Sequence, residues 1–167
     1  MALYGDWWKT VTESTASTLT SQDGVSFASM FAKWLSPGPL ATSLTTITSL
    51  GALSTAASVF VRRSAVRFPE AVEASLLLML IPMLSPQGWD YVLLLSAPAV
   101  VLLANHLDQL PRVLKVTVVA AGLLMGLSLF DLMGRQAYEL FLQVSAISVC
   151  ASVLMFALYA LRVWKNA

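Results

Sequence analysis

Long apolar runs alternate along the chain with short polar breaks. The run Pro39–Val61 carries no charge and ends at Arg62-Arg63. A helix needs about 20 apolar residues to cross about 30 Å of hydrocarbon, so this run predicts a membrane span. Residues 138–163 predict another. Its charges, Glu139 and Arg162, sit near the ends, and Tyr138, Tyr159 and Trp164 are placed as interface aromatics. Residues 111–130 predict a third. Arg112 and Lys115 near its start can snorkel, and Asp131 stands just past its end. Residues 69–104 are apolar except for Glu70, Glu73 and Asp90, and are broken by Ser85-Pro86-Gln87-Gly88-Trp89-Asp90. Pro82, Pro86 and Gly88 argue against one continuous helix. Two short spans, 69–85 and 89–106, are preferred over a re-entrant hairpin, and both return the chain to the same side. The expected fold is all-α: a polytopic membrane helix bundle of about five transmembrane helices over residues 39–167.

Residues 1–38 form an N-terminal amphipathic segment. Leu3, Tyr4, Trp7, Trp8 and Val11 share one helical face. Phe27, Met30, Phe31, Trp34 and Leu35 share another, at i, i+3, i+4, i+7 and i+8. Such faces suit a helix in the headgroup layer, or one packed against protein. Asp23 is the expected N-cap of the second piece, and Pro37-Gly38-Pro39 stops it. Residues 10–21, rich in Ser and Thr, read as a loop. The segment lacks the basic start and apolar core of a signal peptide.

Composition narrows the class. Hydrophobic residues make up 57% of the 167 and charged residues 11%, against roughly a quarter in soluble domains. Mean hydropathy is +0.75. A soluble domain of this size cannot bury so much apolar surface, so soluble enzymes are excluded, as is intrinsic disorder. The net charge of +1, without a basic block, excludes nucleic acid as a partner. The single cysteine, Cys150, excludes an internal disulfide or a Cys-based metal cage, and the single histidine, His106, excludes a multi-His site. Five spans put Arg62, Arg63, Arg67, Arg112, Lys115, Arg162 and Lys165 on one face, and Lys9, Lys33 and Arg135 on the other. The expected location is therefore the bacterial inner membrane, with the N-terminus outside and the C-terminus cytoplasmic.

Small and polar residues within the spans supply the candidate sites. Gly51, Ser54, Thr55 and Ser58 form one stripe, Gly122 and Gly126 a G-x-x-x-G pair, and Ser145, Ser148 and Ser152 a third row. Close backbone approach between helices is the expected role, with a polar path as the alternative. His106 reads as an interfacial histidine, or as a ligand to haem or a chlorophyll-type pigment. Glu70 and Glu73 follow Pro69 at a helix start, where carboxylates are favoured. Asp131, Arg135 and Glu139 read as a solvated or paired loop. Asp90 reads as a helix N-cap, or as a ligand to a sugar or cation.

The run Ile81-Pro82-Met83-Leu84-Ser85-Pro86-Gln87-Gly88-Trp89-Asp90-Tyr91 resembles the late Ser-Pro-x-x-Trp motif of the glycosyltransferase family 87 membrane proteins. Trp7-Trp8-Lys9-Thr10-Val11-Thr12, Gln22-Asp23-Gly24-Val25-Ser26 and Lys33-Trp34-Leu35 are similar to the extracytoplasmic stretch before those late helices, and Phe68-Pro69-Glu70 falls in order between. The likeness covers residues 7–105. It implies the C-terminal half of a GT-C class, polyprenol-phosphate-mannose-dependent transferase that needs no metal. Gln22, Asp23, Ser26, Ser85, Gln87, Trp89 and Asp90 would then contact acceptor or lipid. The family's catalytic base is an Asp in an N-terminal half that this chain lacks. Asp90-Tyr91 stands where some relatives carry histidine, and Gly24 where they often carry Asn. The leading expectation is a non-catalytic accessory subunit of a larger membrane complex, of respiratory or photosynthetic type, with other integral membrane subunits and lipids as partners. The alternatives are half of a split mannosyltransferase, and a subunit that contacts pigment or haem.

Overall fold

The computed structural model describes residues 19, 21, 23–66, 68–85, 94–128 and 130–163. Among these the fold is all-α. The helices are α1 (Phe27–Leu35), α2 (Pro39–Val61), α3 (Pro69–Leu84), α4 (Ala97–Asn105), α5 (Arg112–Leu127), α6 (Phe130–Met133), α7 (Arg135–Gln143) and α8 (Ala146–Val163). Short 3₁₀ turns, Arg63–Ala65 and Leu107–Gln109, connect α2 to α3 and α4 to α5.

Proline sets several boundaries. Pro39 and Pro69 occupy the first position of α2 and α3, where the missing N–H has no intrahelical partner to lose. α1 begins one turn later than Asp23 would place it. Ser26 is its N-cap, and the Ser26 hydroxyl accepts from the Ser29 amide at 3.2 Å. Both residues carry a capping oxygen, and Asp23 is instead exposed in the preceding turn.

α8 is the hub. It packs against α2, α3, α4, α5 and α7, while neighbours in sequence from α2 to α5 also pack on one another. Leu154, Ala157 and Leu158 of α8 are fully buried among Leu76, Met79 and Met83 of α3, Ala99 and Leu103 of α4, and Val59 of α2. α1 turns its apolar face inward. Phe27 and Met30 are buried in this core, so protein rather than lipid covers them, and only Trp34 and Leu35 of that face are well exposed.

The connections after α2 and α4 meet at one end, where the Phe68 ring lies 5.5 Å from the His106 ring. α1 joins the opposite end of α2 through Ser36-Pro37-Gly38, and there it meets α7 and the start of α8.

Two expected boundaries move. The continuous helix expected over 138–163 is broken at Val144-Ser145, with a 58° bend between α7 and α8. α3 and α5 each have 16 residues, shorter than the runs that predicted them. Among the described residues one helix, α2, is long and apolar enough to cross a membrane, or two if α7 and α8 count as one broken span. The turn expected at Pro86-Gln87-Gly88-Trp89-Asp90, and the first amphipathic piece at Leu3 to Val11, lie outside the described residues.

Candidate functional site: an elbow gripped by α1

Among the described residues, a polar arrangement gathers where α7 breaks into α8. The local sequence, Leu142-Gln143-Val144-Ser145-Ala146, has neither glycine nor proline to break a helix. A continuous helix would direct the Leu142 and Val144 carbonyls to amides four residues on. Here the Leu142 carbonyl accepts from the Ser145 amide at 3.1 Å instead, and side chains of α1 reach both carbonyls. The Lys33 ammonium donates to the Leu142 carbonyl at 3.0 Å and to the Gly24 carbonyl at 2.9 Å. The Trp34 indole N–H donates to the Val144 carbonyl at 3.1 Å. From the other side, the Ser148 hydroxyl donates to the Val25 carbonyl at 2.8 Å. Val25, Phe141, Leu142 and Ile147 form a small apolar cluster beneath these bonds.

Ser145 carries the cost of the turn. Its φ of 54° is left-handed, a conformation that costs an L-residue about 1–2 kcal/mol. Its hydroxyl is buried without a hydrogen-bond partner, which costs about 1–3 kcal/mol. Both are sustained because α1 and the small cluster hold the elbow. Ser152 relieves its own hydroxyl by donating to the Ser148 carbonyl at 2.7 Å.

Burial holds the Lys33 amine below the ordinary lysine value, and the charge of Asp23 partly opposes this. A half-buried cation that faces two neutral carbonyls is an anchor between chain segments. The turn before it is tied in turn: the Ser29 hydroxyl donates to the Leu19 carbonyl at 3.1 Å, and the Asp23 amide to the Ser21 hydroxyl at 3.4 Å.

The opposite end holds a second charged group. Arg63 bridges two carboxylates, with Nη2 at 3.2 Å from Glu70 and Nε at 3.3 Å from Glu73. Glu70 is exposed and Glu73 is buried on α3. The Nε approach to Glu73 is an ion pair without hydrogen-bond alignment, and the Glu73 Oε1 atom is left without a hydrogen bond. His106 Nδ1 donates to the Leu102 carbonyl at 2.9 Å, one turn back on α4. Among the described residues no three His, Cys, Asp or Glu side chains converge as metal ligands. Arg135 and Glu139 form an exposed ion pair along α7 at 2.8 Å.

Of the residues singled out from the sequence, Ser26, Ser145 and Ser148 come together at the elbow. Asp23 is exposed beside it, and Ser85 caps the end of α3. Gln22, Gln87, Trp89 and Asp90 lie outside the described residues. Gly51 and Gly126 face nothing among the described residues, Ser54 is exposed, and Ser58 donates to the Thr55 carbonyl at 2.7 Å. Gly122 faces Val100 of α4 at ordinary contact distance, 3.9 Å from an added Cβ. Lys33 is a residue that sequence reasoning counted as a charge and quoted in the resemblance, without giving it a contact. Its signal was a lone cation in the last turn of α1, flanked by Ala32 and Trp34. Comparison with family models, curated proteins and solved structures finds no match.

Proposed function

We propose that the chain is a non-catalytic, multi-pass membrane subunit of a larger complex in the bacterial inner membrane. One observation carries the reading: the character of the outward surface of α2. Leu40, Ile47, Leu50, Leu53 and Phe60 are exposed along it. Its hydroxyls turn back on the helix: Thr42, Ser43, Thr45, Thr46 and Thr55 each donate to the carbonyl four residues earlier, at 2.8–3.1 Å. A surface with so few free polar groups and so much exposed aliphatic area is costly in water and comfortable in lipid. α5 repeats the pattern with exposed Val113, Val116, Leu123 and Leu127, and Thr117 donating to the Val113 carbonyl.

In this reading α2, α3, α4, α5 and α8 are the five spans, and α7 lies near the surface outside the cytoplasm. α3 and α5, at 16 residues, reach about 24 Å, and α4, at nine described residues, about 14 Å. Both lengths are short of about 30 Å of hydrocarbon, a mismatch met by local thinning or by flanking residues. Arg62, Arg63, Arg112 and Lys115 then face the cytoplasm.

The test is purification through a C-terminal tag in mild detergent, with a reporter fused after Ala167. The reporter is active in the cytoplasm, and other multi-span subunits co-purify. A lone monomer refutes the accessory role, and a reporter active outside refutes the topology. A second reading, half of a split mannosyltransferase, has one observation behind it: the loop carrying Asp23 and Ser26 is pinned to α8 at Ser148. It expects mannosyl transfer from polyprenol-phosphate mannose only when a second chain supplies the early Asp loop. Transfer by this chain alone contradicts both readings.

A further inference from the structure

We propose that the α7–α8 elbow is a two-state element, and that α1 is the releasable grip that holds it bent. The argument is one of competing partners for the same carbonyls. In the bent state Leu142 and Val144 accept from Lys33 and Trp34, residues more than a hundred positions away. The Leu142 carbonyl also accepts from the Ser145 amide at 3.1 Å in the bend; in a straight state both carbonyls accept from the amides four residues on, and neither is left unpaired. Ser145 gains in that exchange. It leaves its left-handed φ of 54°, and its buried, unpartnered hydroxyl acquires the carbonyl one turn back. No glycine or proline opposes the straight form. Local backbone energetics therefore favour a continuous helix over residues 135–163, and α7 with α8 have the joint apolar character of one span.

Three tertiary contributions favour the bend: the Lys33 and Trp34 bonds, the Ser148 bond to Val25, and the cluster of Val25, Phe141, Leu142 and Ile147. The first belongs to α1, and the other two depend on Val25 in the turn that leads into it. Whatever displaces α1 removes all three together and shifts the population to the straight form. α7 has nine residues and the bend is 58°, so its far end moves by about 13 Å, from a rise of about 1.5 Å per residue. Displacement of one short helix is thus converted into a large swing of another. The inference goes beyond the accessory-subunit reading and is tested independently of it.

The experiment places spin labels at Gln136→Cys on α7 and Ile47→Cys on α2, both exposed, in a Cys150→Ala background of the full chain. Pulsed electron resonance measures the distance between them. With α1 intact a single distance is expected. Lys33→Met with Trp34→Phe gives a second population, displaced by up to about 13 Å. Adding Ser145→Gly, which accepts the left-handed turn at no steric cost, returns that variant toward the single distance. Adding Ser145→Ala, which removes the unpartnered hydroxyl but keeps the left-handed strain, returns it by less. An unchanged distance in a double variant that keeps its helical circular dichroism overturns the proposal. Loss of helical dichroism also overturns it, since α1 could then not be released without unfolding the bundle.

Discussion

α2 and α8 are both long apolar helices, and they occupy opposite positions in the fold. α8 buries Ile147, Ala151, Leu154, Leu158 and Leu161, whereas only Ala41, Ala56 and Val59 of α2 are buried. The difference lies in where the small residues point. On α8, Ser148, Ala151, Ala157 and Ala160 are buried, which lets neighbouring helices approach from several sides. On α2, Ser43, Thr46, Gly51, Ser54 and Ala57 face outward. Hydropathy detects both helices, but the direction of the small residues decides which becomes the hub.

The largest expected effect sharpens that contrast. Leu158→Ala removes a fully buried side chain from the hub and should cost about 2–5 kcal/mol. Leu50→Ala, on the exposed face of α2, should stay within about 0.5 kcal/mol. Unfolding by denaturant in detergent measures both. Equal losses would mean that α2 is as tightly packed as α8, and the comparison would fail.

A charge on the exposed face asks what α2 is exposed to. Leu50→Asp near the helix centre should cost about 2.5–3.5 kcal/mol of membrane insertion. In water the same change should be nearly neutral. The fraction of chain resistant to alkaline extraction from membranes reads the difference. Undiminished resistance would remove α2 from the lipid.

Ser148→Ala tests the elbow against α2. It leaves the Val25 carbonyl without its donor and should cost about 1–3 kcal/mol. Ser54→Ala, exposed on α2, should cost less than about 0.5 kcal/mol. Thermal melts of the two variants decide whether the serine rows differ as their surroundings do.

How far these regions were legible from sequence follows from the range of the forces that set them. α2 could be read to its ends, because Pro39 starts it and the arginines after Val61 stop its apolar run, all within the helix or beside it. The elbow could not. The side-chain bonds to the Leu142 and Val144 carbonyls come from Lys33 and Trp34, 109 and 110 positions away. A local pattern carries no trace of such partners, so residues 138–163 read as one helix. α1 was legible as amphipathic but not as inward-facing, since Phe27 and Met30 suit protein and lipid equally well. The small-residue rows were visible too, yet only the arrangement in space separates Ser148, buried and bonded, from Gly51, which faces nothing among the described residues.

The smallest expected effect concerns charge at the elbow and has no counterpart on α2, which carries no ionisable side chain. Burial lowers the affinity of folded Lys33 for its proton, while in the unfolded chain the amine keeps its ordinary value of 10.5. Between the two values the unfolded chain holds a proton that the folded chain releases. Stability therefore rises as pH climbs through that window toward 10.5, and the burial penalty is fully felt below it. The rise is modest because Lys33 is only half-buried and Asp23 opposes the shift. Lys33→Met removes the titrating group, so it should flatten this part of the profile while lowering stability through the lost bonds to the Gly24 and Leu142 carbonyls. Denaturant midpoints for both proteins at about pH 8 and about pH 10.5 bracket the window. If both midpoints shift equally with pH, the titrating group is not Lys33, and its ammonium is as well solvated in the folded protein as in the unfolded chain.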